Sequence, residues 1–70
     1  MAELKIFHDR QGQTLTFWFG VPADEVVCEE VANDIVLMKD RAGRVIGFEK
    51  LNFLVLESDS VRVALEPATT

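Results

Sequence analysis

The chain is punctuated twice by nearly the same turn. His8-Asp9-Arg10-Gln11-Gly12-Gln13-Thr14-Leu15-Thr16-Phe17 and Lys39-Asp40-Arg41-Ala42-Gly43-Arg44-Val45-Ile46-Gly47-Phe48 share Asp, Arg, Gly and Phe in register, at positions 9/40, 10/41, 12/43 and 17/48. Asp is favoured at the first position of a type I turn, and Gly at the fourth accepts positive φ as a bulge. On either side, apolar residues recur close to every second position in short runs bounded by Gly, Asn and Asp. Such alternation, broken by turn residues, specifies hairpins. The expected fold is mainly β: a small antiparallel sheet of successive hairpins. One hairpin type used twice explains the echo better than an ancestral duplication, and neither origin implies chemistry.

Five strands follow from the pattern. The first covers Leu4–His8 and the second Gln13–Phe19, which is aromatic and β-branched as a pleated surface favours. Gly20–Asp24 is a connector, because Pro22 has no N–H to give to a ladder. The third strand covers about Val26–Ala32, Asn33-Asp34 is a two-residue turn, and the fourth covers Ile35–Lys39. The fifth extends from Arg44 to about Phe53.

Turn type sets register. A two-residue loop at Asn33-Asp34 places Ala32 opposite Ile35, Val31 opposite Val36 and Glu29 opposite Met38. A three-residue loop at Arg41-Ala42-Gly43 places Asp40 opposite Arg44, Met38 opposite Ile46 and Val36 opposite Phe48. One face then gathers Val27, Val31, Val36, Met38, Ile46 and Phe48, the expected core. The other gathers Cys28, Ala32, Ile35, Leu37, Val45, Leu51 and Phe53, diluted by Glu30, Lys39 and Glu49, with Gly47 making room for Leu37. Both faces are partly apolar, whereas a sheet in water normally keeps one face polar. Either Phe53–Leu65, as a final strand over Val61–Leu65 or a short helix, covers the second face, or a second copy of the chain does, or both contribute. The tail Glu66–Thr70 is expected to fray, leaving a single domain over residues 1–70, ordered from about 3 to 65.

Size sharpens the problem. A chain of 70 residues buries only about 60% of its unfolded surface. Domains this small commonly need disulfides, a metal or a partner. One Cys excludes an internal disulfide, and one Cys with one His gives no zinc cluster. A partner chain remains. Hydrophobic residues make up 49% of the chain, too many for a disordered segment. Twelve acids against seven bases give a net charge of -5, which disfavours direct nucleic-acid binding and anionic membranes. No apolar run approaches a membrane span, the longest being Ile35–Met38 and Phe53–Leu56. The charged N-terminal stretch lacks the apolar centre of a signal peptide, so the expected location is the cytoplasm, where a lone thiol stays reduced.

The stretch Glu29–Asn52 reads as an acidic strand, a turn, an Ile-Val-Leu strand, an Asp-x-x-Gly-Arg turn, then Val-x-Gly-x-Glu and an aliphatic-Asn ending. It resembles a family of short bacterial proteins catalogued as a domain of unknown function, with Asp40, Gly43, Arg44, Gly47, Glu49, Leu51 and Asn52 at the matching places. His8-Asp9 and Leu15 resemble that family's opening, although Gln13 stands where it often has Asp and Thr16 where it has Tyr. The resemblance brings no established catalytic residue to carry over. Some similar proteins neighbour small toxin-type proteins, which implies a partner.

The residues themselves offer little chemistry. His8 and Asp9 could form a base with its orienter, but adjacent strand residues point to opposite faces and Asp9 is needed for the turn. Cys28 lacks the electropositive setting of a reactive thiol, because Glu29 and Glu30 follow it. Asp24, Glu25, Glu29, Glu30 and Asp34 are five acids in eleven residues. They suit a solvated edge that repels sheet-to-sheet stacking, or a dock for a basic protein, better than a metal, since no Asp-x-Asp-x-Asp-Gly loop occurs. Asp40 and Arg44 form a turn-side pair. Phe17, Trp18 and Phe19 lack the basic flanks of a single-strand nucleic-acid platform. The expected protein is therefore non-enzymatic, without metal or cofactor, and acts by protein–protein association as a homodimer. The alternative is an antitoxin-like regulatory partner of a small basic toxin protein.

Overall fold

The hairpin pattern folds into one open antiparallel sheet. The computed structural model describes residues 3–68; of the tail expected to fray, residues 69 and 70 lie outside that range. The strands are β1 (Lys5–Asp9), β2 (Thr14–Trp18), β3 (Val27–Ala32), β4 (Ile35–Lys39) and β5 (Val45–Lys50), and the connector holds one 3-10 turn, Pro22–Asp24. The order across the sheet is β1-β2-β5-β4-β3. The first hairpin thus joins a three-strand meander through the antiparallel pair β2–β5. The connector passes the sheet's end, where Phe19 and Gly20 donate N–H to the Ile46 carbonyl at 3.0 and 2.9 Å and Val26 donates to that of Lys39 at 3.0 Å.

Aspartate carboxylates build both major turns, as the sequence indicates, but in different ways. Asp40 Oδ1 accepts from the N–H of Ala42 at 3.0 Å and of Arg44 at 2.9 Å, and Asp40 N–H donates to the Arg44 carbonyl, giving the expected Asp40–Arg44 pairing. Gly43 takes φ +82° with open space where a Cβ would stand. In the first turn Asp9 Oδ1 accepts from Gly12 N–H at 2.9 Å. There the left-handed residue is Gln13, at φ 60°, and not Gly12. Asp9 pairs with Thr14, so this loop is one residue longer than its echo.

Two bulges alter the expected register. Ala32 does oppose Ile35, but Val31 is then skipped: Glu30 opposes Val36, Glu29 opposes Leu37 and Cys28 opposes Met38. Lys39 opposes Val45, but Ile46 is skipped, so Met38 opposes Gly47 and Leu37 opposes Phe48. The pairs Val31–Val36, Glu29–Met38, Met38–Ile46 and Val36–Phe48 do not form. Each extra residue shifts the strand beyond it by one position, and a one-position shift exchanges faces. The expected core is therefore divided. One face carries a row Ile6, Phe17, Phe48, Leu37 and a second row His8, Leu15, Lys50, Ile35. The opposite face carries Lys5, Trp18, Gly47, Met38, Cys28 and a more polar row Phe7, Thr16, Glu49, Val36, Glu30.

Packing concentrates where β2 meets β5. Phe17 and Phe48 stack at 4.6 Å between ring centroids, 18° from parallel. On the other side Trp18 covers Gly47, where a Cβ would lie 2.8 Å from Trp18 Cε3 and 2.6 Å from the Phe17 carbonyl oxygen. Gly47 thus makes room for Trp18 rather than for Leu37. Only Met38 and Ile46 are buried hydrophobic side chains among the described residues. Val27 and Val31, expected in the core, are exposed.

β5 ends at Lys50, short of the expected Phe53, because Asn52 takes φ 55°, outside the range of a strand. The following segment is neither the strand nor the helix that the sequence suggested. It is tethered by Leu51 N–H to the Asp34 carbonyl at 2.7 Å and Phe53 N–H to the Gln13 carbonyl at 2.8 Å. Leu54, Leu56, Val63 and Leu65 stay exposed, so it does not seal the sheet.

Gly47→Ala is expected to destabilise by about 1–3 kcal/mol through overpacking beneath Trp18, with a shifted tryptophan fluorescence maximum. Gly43→Val is expected to destabilise by a similar amount, about 1–3 kcal/mol, through backbone strain alone and without that shift. Urea denaturation followed by fluorescence separates the two effects.

Candidate functional site

The residues that could carry chemistry are kept apart. His8 lies on β1 and Cys28 on β3, at opposite margins of the sheet and on opposite faces. They cannot act on one atom. His8 packs edge-on against Phe53, with ring centroids 5.5 Å apart, and its Nε2 is buried without a hydrogen-bond partner. Asp9, its sequence neighbour, faces the other way and serves the turn. Among the described residues no group of three or more His, Cys, Asp or Glu side chains converges as a metal site.

Cys28 is exposed and donates its S–H to the Glu25 carboxylate. That bond favours the thiol over the thiolate, and slight desolvation and the charges of Glu25 and Glu49 act in the same direction, so its pKa rises above the usual thiol value. Glu25 lies just past the 3-10 turn and before β3. The sequence reading weighed Glu29 and Glu30 as the residues that quiet this thiol and missed Glu25, since adjacency in a strand says nothing about reach from the preceding loop.

The acidic stretch Asp24–Asp34 is divided by its partners. Lys39 binds Glu29 at 2.6 Å, Lys50 binds Asp34, and Glu25 is engaged by Cys28. Asp24 and Glu30 make no ion pair among the described residues. β3 is exposed along its whole length and forms one margin of the sheet. Arg44 pairs with Asp40 at 3.2 Å. A shallow hollow of about 610 Å³ beside this turn is lined in part by Asp24, Asp40, Arg41 and Arg44, with both charge signs represented.

The extended apolar surface is a second feature. Leu4, Phe7, Phe19, Val21, Val26 and Val45 are exposed around the sheet, beyond the valines of β3 and the C-terminal segment. A compact monomer of this mass exposes about 4,400 Å²; this chain, of 7.9 kDa, exposes 5754 Å². Its radius of gyration is 13.6 Å, against about 11 Å for a compact chain of this length.

These features define a small single-layer β module whose conspicuous asset is surface. The chain belongs to the family described as "Protein of unknown function (DUF2283)", whose model matches residues 5–53. That range holds all five strands. Comparison with curated proteins and with solved structures finds no match. Among the described residues no helix is long and apolar enough to cross a membrane.

Two outcomes follow from the local electrostatics. Cys28 should alkylate with iodoacetamide near neutral pH more slowly than a free thiol, and Glu25→Gln should speed it several-fold. Asp40 is held below the usual carboxylate range, chiefly by the Arg44 backbone N–H and also by the Arg44 charge and the Ala42 N–H. A lowered folded-state pKa adds stability that is present above about pH 4 and lost as pH falls through the folded value. Asp40→Asn keeps an acceptor but no titrating charge. It should flatten the fall in urea-measured stability as pH drops below about 4.

Proposed function

We propose that this protein acts by protein–protein association, as a homodimer, and not as an enzyme. The observation that carries this reading is surface. Among the described residues twelve large apolar side chains are exposed while two hydrophobic side chains are buried. The accessible area exceeds that of a compact monomer by about 1,300 Å², and a standard interface takes about 800 Å² from each partner. A second copy is the partner always at hand, and self-complementary two-fold joints are the commonest assembly of soluble proteins. The separation of His8 from Cys28 supports the non-catalytic part of the reading, because a nucleophile and its base must stand within hydrogen-bond reach.

A second reading, an antitoxin-like partner of a small basic toxin protein, draws on the exposed acidic margin at β3, where Glu30 carries no ion pair among the described residues. It predicts a stoichiometric basic protein on purification from the native host, released by salt and lost in Glu29→Lys/Glu30→Lys.

Light scattering on the pure chain at about 10 μM should return twice its 7.9 kDa mass. A monodisperse monomer at that and higher concentration removes the homodimer reading.

A further inference from the structure

The sheet has two free margins, and their chemistry differs. β3 holds Glu29 and Glu30 at its centre and the Val31 bulge near its end. Antiparallel pairing of two β3 strands about a two-fold axis through their middle sets these carboxylates against one another, which is unfavourable, and the bulge interrupts the ladder. Acids and a bulge are the ordinary protection of an edge.

β1 has no bulge, and its charges, Lys5 and Asp9, stand at its two ends rather than at its centre. It is Lys5-Ile6-Phe7-His8-Asp9, it pairs with β2 in unbroken register, and it has one strand neighbour. It is also complementary to itself. About a two-fold axis through Phe7, Lys5 stands opposite Asp9 of the second copy, Ile6 opposite His8, Phe7 opposite Phe7 and Asp9 opposite Lys5. Lys5, Phe7 and Asp9 share one face of the strand and all three are exposed, so two ion pairs would flank an aromatic pair on one surface. In the single chain Lys5 has a loose contact to Glu3, at 3.7 Å between exposed side chains. Asp9 uses Oδ1 for the Gly12 N–H, which leaves its charge available to a cation beyond the margin.

We propose that two copies join antiparallel along β1, about a two-fold axis at Phe7, into one continuous sheet whose outer margins are the two β3 strands. This rests on the homodimer reading above and specifies the joint. Edge addition satisfies backbone groups that β1 otherwise presents to water, while the side-chain code sets the register.

The test uses full-length chains in a Cys28→Ser background. Opposed residues in an antiparallel pair have Cβ atoms about 5 Å apart, so Phe7→Cys should be joined by a short bismaleimide into a covalent dimer at 10 μM. Val31→Cys, on the far margin, should give less than a tenth of that yield. Independently, Lys5→Glu sets a carboxylate opposite Asp9 twice per dimer and should raise the dissociation constant at least tenfold at low salt. That rise should shrink in high salt, with an unchanged circular dichroism spectrum. If the parent is dimeric by light scattering but Phe7→Cys does not cross-link and Lys5→Glu keeps the parent affinity, the β1 joint is wrong and the homodimer reading stands. A monomeric parent defeats both.

Discussion

Trp18 lying across Gly47 is the contact on which the rest of this small sheet depends. The pairs β1–β2, β3–β4 and β4–β5 are neighbours in sequence and close through short turns. An isolated hairpin is marginal in water, so these units persist only if they share a surface. β2–β5 supplies it, across some thirty residues of chain whose closure entropy must be offset. The indole covers one side of the seam and the Phe17–Phe48 stack closes the other. Gly47 is what allows an aromatic ring to rest directly on the neighbouring backbone, because any side chain there would collide with Trp18 and with the Phe17 carbonyl.

Local chemistry was readable from the letters. β4 occupies Ile35–Lys39 as the pattern indicates, and Asp40 organises its turn as an Asp at that place should. What was not readable comes from contacts distant in sequence. Ile46 bulges where its carbonyl takes two N–H groups from the Phe19-Gly20 connector, a demand invisible at residues 45–47. That single extra residue moves Phe48 to the face opposite Met38 and divides the expected core. The repeated Asp-Arg-x-Gly string hid a difference in loop length, since Gln13 and not Gly12 takes the left-handed conformation. Phe53–Leu65 has strand-like letters, yet it pairs with neither margin of the sheet and remains irregular.

The candidate site was legible in outline only. The acidity of β3 follows from its own letters, whereas the Cys28–Glu25 contact that raises the thiol pKa depends on how the 3-10 turn delivers the chain to the strand. The charge symmetry of β1 is written in five consecutive residues, yet it carries meaning only once β1 is known to be a margin, which the pairing of β2 with β5 decides.

A single layer with two buried hydrophobic side chains among its described residues has thermodynamic consequences beyond its shape. The heat-capacity change of unfolding scales with the apolar area newly wetted, and so does sensitivity to denaturant. On its own, this chain already wets much of that area. Its free energy should therefore vary gently with temperature and with urea, and a steep transition would report the area hidden between chains more than any hidden within one.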